Sequence, residues 1–121
     1  MKRVLAVDDN SDQLLVTRLS LKGHYMVECC TSLGEFTAAI GTTVPDVVLL
    51  DLHVGLLHAR DFVAAMRGSA LELVPIVLIS GSVELEEESR ALGCAASLQK
   101  PYGIMDLRRL LAKLLEEGGA G

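Results

Sequence analysis

Short apolar runs in this chain end at a charge. Val4-Leu5-Ala6-Val7 leads into Asp8 and Asp9, Val47-Val48-Leu49-Leu50 leads into Asp51, and Lys100 closes a run over residues 95–99, just before Pro101. Each run has the length and composition of a buried strand, and parallel strands bring their carboxyl ends to a common edge. Strands that share one sheet would therefore gather three carboxylates and one ammonium. Such a group of like charges is unfavourable unless a cation sits among them.

The rest of the chain supplies the sheet. Residues 3–8, 25–30, 46–51, 76–80 and about 95–99 read as strands. Helical patterns lie between and after them. Leu14, Leu15, Arg18, Leu19 and Leu21 mark the first, stopped at Gly23, and Phe36, Ala39 and Ile40 mark the second, ending near Gly41. Phe62, Val63 and Met66 mark a third that ends near Gly68, and an acidic fourth runs from Glu84 to Leu92 and closes at Gly93. The fifth carries Ile104, Leu107, Leu110, Leu111, Leu114 and Leu115, and Gly118-Gly119 is its expected stop. Five strand–helix repeats predict an α/β, doubly wound parallel sheet with helices on both faces. Ligands of such sheets bind beyond the carboxyl ends of the strands. Asp8, Asp9, Asp51, Ser80 and Lys100 all fall there. With 121 residues and no linker or repeat, residues 1–121 read as one domain.

Composition removes several classes of function. The net charge of -5, with no basic stripe, argues against binding to nucleic acid or an anionic membrane. No apolar stretch approaches the ~18 residues of a membrane span, and the start MKRVLAVDDN lacks the apolar core of a signal peptide. A cytoplasmic location is expected. Cys29, Cys30 and Cys94 are odd in number and lack C-x-x-C spacing, so they read as small reduced core residues. His24 near Cys29 has no second pair of ligands to complete a metal site.

The motifs at the strand ends resemble those of receiver domains of two-component response regulators, over essentially the whole chain. They are Val7-Asp8-Asp9-Asn10, Leu49-Leu50-Asp51-Leu52, Ile79-Ser80-Gly81 and Lys100-Pro101-Tyr102. The resemblance implies a flavodoxin-like (βα)5 fold with strand order 2-1-3-4-5. It implies Asp51 as phosphoacceptor, with Mg2+ held by Asp8, Asp9, Asp51 and the backbone carbonyl of His53. Lys100 and Ser80 would contact phosphoryl oxygens, and a cis bond before Pro101 would aim Lys100 inward. The implied partner is a sensor histidine kinase or a histidine phosphotransfer protein, docked on Gln13, Leu14, Thr17, Arg18 and the Pro101-Tyr102 loop. No separate substrate is implied, so the chain is not expected to be an enzyme. Physical chemistry agrees with these roles: phosphoryl transfer to a carboxylate depends mainly on positioning and on neutralising negative charge.

Several positions depart from the family pattern. Ser97 stands three residues before Lys100, where an aromatic switch residue is usual, and Ser80 replaces the more frequent threonine. Val54-Gly55 replaces a Met-Pro pair, which predicts a more flexible loop after Asp51. Ala59 replaces a glycine. Cys94-Ala95-Ala96 lacks the acidic residues that support the dimer of DNA-binding regulators, so that dimer is not expected. His53 and Ser82 occupy positions that bear on the lifetime of the aspartyl phosphate.

Other readings fit less well. A phosphatase of the haloacid-dehalogenase type needs an acid two residues after its nucleophile, where this chain has His53. A flavin or nucleotide domain needs a Gly- or Ser/Thr-rich loop after the first strand, where Asp8-Asp9-Asn10 would repel phosphate. A phosphorylation-independent interaction module is disfavoured by the intact acid–lysine set, although Ser97 keeps it open. The acidic run Glu84-Leu85-Glu86-Glu87-Glu88 reads as a solvated helix face near the switch surface. The uncapped Gly118-Gly119-Ala120-Gly121 end favours a receiver excised from a longer protein over a free-standing one.

Overall fold

In the computed structural model, residues 1–117 are described. In chain order the elements are β1 (Arg3–Val7), α1 (Ser11–Leu21), β2 (Met26–Cys30), α2 (Leu33–Ile40) and β3 (Val47–Asp51). Two short strands, β4 (His53–Val54) and β5 (Leu57–His58), precede α3 (Ala59–Met66). Then come β6 (Ile76–Ser80), α4 (Leu85–Leu92), β7 (Ala96–Gln99) and α5 (Ile104–Ala112), the last continuing as a π-helical turn over Lys113–Glu117. The expected stop at Gly118-Gly119 lies outside the described residues.

Five strands pair in parallel in the order β2-β1-β3-β6-β7, which is 2-1-3-4-5 when the two short strands are left out. The register sets Val7 against Leu50, Asp51 against Ile79, and Ser80 against Gln99, so the functional strand ends share one edge.

The apolar runs are continuous because both faces are covered. Along β3, Val47 and Leu49 face a layer containing Leu14 and Leu21 of α1 and Leu107 and Leu111 of α5. Val48 and Leu50 face the opposite layer, with Phe36 of α2, Phe62 of α3 and Leu85 of α4. Phe36 and Phe62 meet edge to face, their centroids 5.4 Å apart, a geometry that ring quadrupoles favour. The two-residue period of β3 carries Asp51 to the side of Val47 and Leu49, toward α1 and α5. The same alternation sends Cys30 into one layer and Cys29 toward the other. All three cysteines are free thiols.

One expectation needs correction. The stripe assigned to α1 is only partly its buried face: Leu14 and Leu21 are buried, together with Thr17 and Ser20, while Leu15 and Leu19 are 55% and 59% exposed. Hydroxyls can be buried here because Thr17 Oγ1 donates to the Gln13 carbonyl (3.0 Å) and Ser20 Oγ to that of Val16 (2.7 Å). Apolar periodicity therefore finds Leu14 and Leu21 but includes exposed Leu15 and Leu19 and misses buried Thr17 and Ser20. The loop after Asp51, which carries Val54-Gly55, takes a regular form. It closes as an antiparallel hairpin in which His53 pairs with His58 and Val54 with Leu57. Gly55 takes φ +63° at the first central position, where a two-residue hairpin needs a left-handed residue.

Candidate functional site

The turn after β1 orients the first acid. Asp8 Oδ1 accepts the Asn10 N–H at 3.0 Å, which draws the carboxylate inward, and the residue is buried. Asn10 then caps α1, its Oδ1 accepting N–H bonds from Asp12 and Gln13 at 3.0 and 3.1 Å. Asp9, between them, stays exposed. Asp51 ends β3, and carboxylate oxygens of Asp8, Asp9 and Asp51 all lie within 4.8 Å of one another.

Lys100 enters from the far side of the sheet. Its backbone N–H bonds the Ser80 carbonyl at 2.9 Å, and the Lys100–Pro101 bond is cis. Its Nζ lies 3.1 Å from Asp51 Oδ1 and 3.4 Å from Asp8 Oδ2. The sequence-derived set Asp8, Asp9, Asp51 and Lys100 is thus assembled at one edge. Ser80 ends β6 at the same sheet edge, with its Oγ accepting the Ser82 N–H at 3.0 Å. Ser82 Oγ in turn accepts the N–H of Glu84, the residue before α4, so the turn leaving Ser80 is bonded stepwise into that helix.

Burial and charge crowding both act on Asp51. Burial first, and then the charge of Asp8, push the Asp51 carboxyl up to about 6, against the pull of Lys100. For Lys100, burial disfavours the ammonium, but the contacts with Asp51 and Asp8 outweigh it and hold its pKa above the ordinary value. Three oxygen-bearing acids around one incompletely balanced charge suit a hard cation that keeps part of its water shell. The donor set therefore fits a divalent ion such as Mg2+.

The remaining family-derived positions divide. His53 is exposed in β4, and its ring packs edge-on against His58, with centroids 5.4 Å apart. Ser97 is half-buried in β7 with no ring at its position. Of the expected docking residues, Gln13 remains available and its Nε2 donates to the Tyr102 hydroxyl at 3.3 Å. Leu14 is buried, so the docking set derived from sequence is corrected there, while Thr17, also buried, lines a groove of about 480 Å³. Exposed Val16 lines the same groove, with Gln13, Pro101, Tyr102 and Ile104. Apolar pattern alone does not mark His58, which caps α3. A glycine placed two residues before a second Leu-His pair was the available signal for the hairpin that carries it.

Residues 4–112 match the response regulator receiver domain family, and the chain belongs to it. It is a receiver domain of two-component signalling. Among curated relatives, the cell cycle response regulator CtrA of Brucella ovis is 30% identical over 103 residues, 83% of this chain. The chain spans 44% of the length of that relative. Among solved structures, the Vibrio cholerae chemotaxis protein CheY4 superposes with a TM-score of 0.86 at 28% identity, covering 95% of this chain and 99% of that one. A CheY-like receiver domain from Methanospirillum hungatei gives 0.87 at 25% identity, over 100% and 99% of the two chains.

Proposed function

We propose that Asp51 accepts a phosphoryl group from a phosphohistidine of a sensor histidine kinase or a histidine phosphotransfer protein, and that this switches partner binding. The observation that carries the reading is the convergence of Asp8, Asp9, Asp51 and Lys100 at one sheet edge, with Lys100 Nζ between two of the carboxylates. An Asp51 oxygen attacks phosphorus, the P–N bond to the donor imidazole breaks, and the leaving imidazole takes a proton. Lys100 pairs with a phosphoryl oxygen. Ser80 Oγ, turned away from the Ser82 N–H, donates to another.

Asp8, Asp9, Asp51 and the His53 carbonyl would hold Mg2+, a hard ion that tolerates retained water. When bound it offsets the negative charge of carboxylate and phosphoryl group. The protein promotes its own phosphorylation and dephosphorylation and turns over no separate substrate. His53 and Ser82 bear on how long the phosphate lasts, and comparing dephosphorylation of His53→Ala with the parent tests this. Indistinguishable rates would remove His53 from the account.

Residues 1–121 act on this reading as one receiver unit, working in the cytoplasm without contacting nucleic acid. No described helix is long and apolar enough to cross a membrane. The donor protein docks on the outer side of α1, where Leu15, Val16 and Leu19 are exposed, and on the loop at Pro101-Tyr102. The reading is tested by intact-mass measurement after incubation with acetyl phosphate. One added phosphoryl group in Mg2+, and none in chelator, is the expected result.

A further inference from the structure

His58 uses both ring nitrogens and one ring edge. It caps α3, with Nδ1 accepting the Arg60 N–H at 3.0 Å. That acceptor role assigns the ring proton to Nε2, which lies 3.3 Å from Glu88 Oε2 in the middle of α4. The ring also meets His53, its partner across the hairpin, at 5.4 Å and 89°. The imidazole is largely covered, with 14% of its side chain exposed. The hairpin itself starts two residues after Asp51. It is fastened at Leu52, whose N–H bonds the Ile79 carbonyl and whose carbonyl accepts the Ala59 N–H.

We propose that His58 is a positioning residue that couples the hairpin beside Asp51 to α4. This rests on the phosphoacceptor reading for its purpose, though not for its geometry. One route from the site to α4 runs along the backbone through Ser80, Ser82 and Glu84. His58 supplies a second, across space, from the other side of Asp51. Movement of the hairpin is felt at Glu88, and displacement of α4 is felt at the strand that bears the His53 carbonyl. A metal ion does not suit this His-His-Glu group. Binding through Nε2 would send the ring proton to Nδ1, against the Arg60 N–H.

Two variants cut the link from opposite ends. His58→Asn keeps an acceptor for the Arg60 N–H, since asparagine is a good helix cap, but it is too short to reach Glu88. Glu88→Ala removes the other partner. Residue-resolved amide hydrogen exchange of the whole chain is compared with the parent. Coupling is expected to be reciprocal. Glu88→Ala should speed exchange at the Ala59 amide, and His58→Asn at α4 amides, each by about two- to fivefold, the scale of a partly exposed polar pair. The double variant should add nothing further. A purely local role would confine each effect to the element carrying the substitution, and that pattern would overturn the coupling. Phosphate uptake is read separately by mass. Reciprocal effects in a chain that takes no phosphate would support the coupling and overturn the phosphoacceptor reading. Uptake without reciprocal effects would do the reverse.

Discussion

Lys100 Nζ lies 3.1 Å from Asp51 Oδ1 and 3.4 Å from Asp8 Oδ2, so one ammonium stands between two mutually repelling acids, one at the end of β3 and one just past β1. Without it, the Asp51 carboxylate would lose its nearest counter-charge and the phosphoryl group its cationic partner. Lys100→Met should slow phosphate uptake from acetyl phosphate by roughly 10- to 100-fold, matching about 1.5–3 kcal/mol for a charged hydrogen bond. The rate of appearance of the phosphorylated mass measures this. A parental rate would deny Lys100 its role.

The raised Asp51 pKa also fixes the sign of a stability effect. Burial, then the charge of Asp8, push the carboxyl up to about 6, from an ordinary value of 3.8. The folded chain thus holds this proton more tightly than the unfolded chain. The resulting stability is fully present below 3.8 and is lost as pH rises through about 6. Asp51→Asn cannot ionise. In chelator near about pH 7.5 it should be more stable than the parent by on the order of 1 kcal/mol, allowing for solvent screening. The gap should close as pH falls toward roughly 4. Thermal melts of both proteins across this range check the trend, and a constant gap would contradict it.

Mg2+ should act in the opposite direction. An ion bound only by the folded chain stabilises it, by about 2.7 kcal/mol when free Mg2+ is a hundred times its dissociation constant. The melting temperature of the parent should therefore rise with Mg2+ and fall back in chelator. Asp8→Asn removes the buried member of the acid cluster, and its melting temperature should respond far less.

If the donor docks as proposed, a substitution on the outer side of α1 separates docking from chemistry. Val16 is 53% exposed and lines the groove shared with Tyr102 and Ile104. Val16→Glu should slow transfer from a phosphohistidine donor protein by about tenfold or more, the scale of losing a well-placed apolar anchor. Uptake from acetyl phosphate should be unchanged. Equal slowing with both donors would place Val16 in the site rather than on the docking face.

Much of this molecule is legible in its sequence because its strands are short, continuous and covered on both sides. Val47 to Leu50 cannot be solvated on either face, and the charge that ends the run is held at the sheet edge. That logic leads to Asp8 and Asp51 from local pattern, while Lys100 follows half-buried β7 and is marked by its place before Pro101. The same pattern misleads on α1, where buried Thr17 and Ser20 satisfy their hydroxyls within the helix, freeing Leu15 and Leu19 to face outward. It is silent on His58 and Glu88, which lie 30 positions apart and meet only because the hairpin folds toward α4. Polar contacts between distant elements leave no periodic trace.

The central claim is that Asp51 carries the phosphoryl group. An acyl phosphate is reduced by borohydride to an alcohol, which marks the modified side chain permanently. The chain is phosphorylated with acetyl phosphate and Mg2+, reduced, digested and mapped by mass spectrometry. The mark should fall on the Asp51 side chain and be absent from Asp51→Asn treated in the same way. A mark on Asp8, Asp9 or any other residue, or none on a chain that had gained phosphate, would contradict the account.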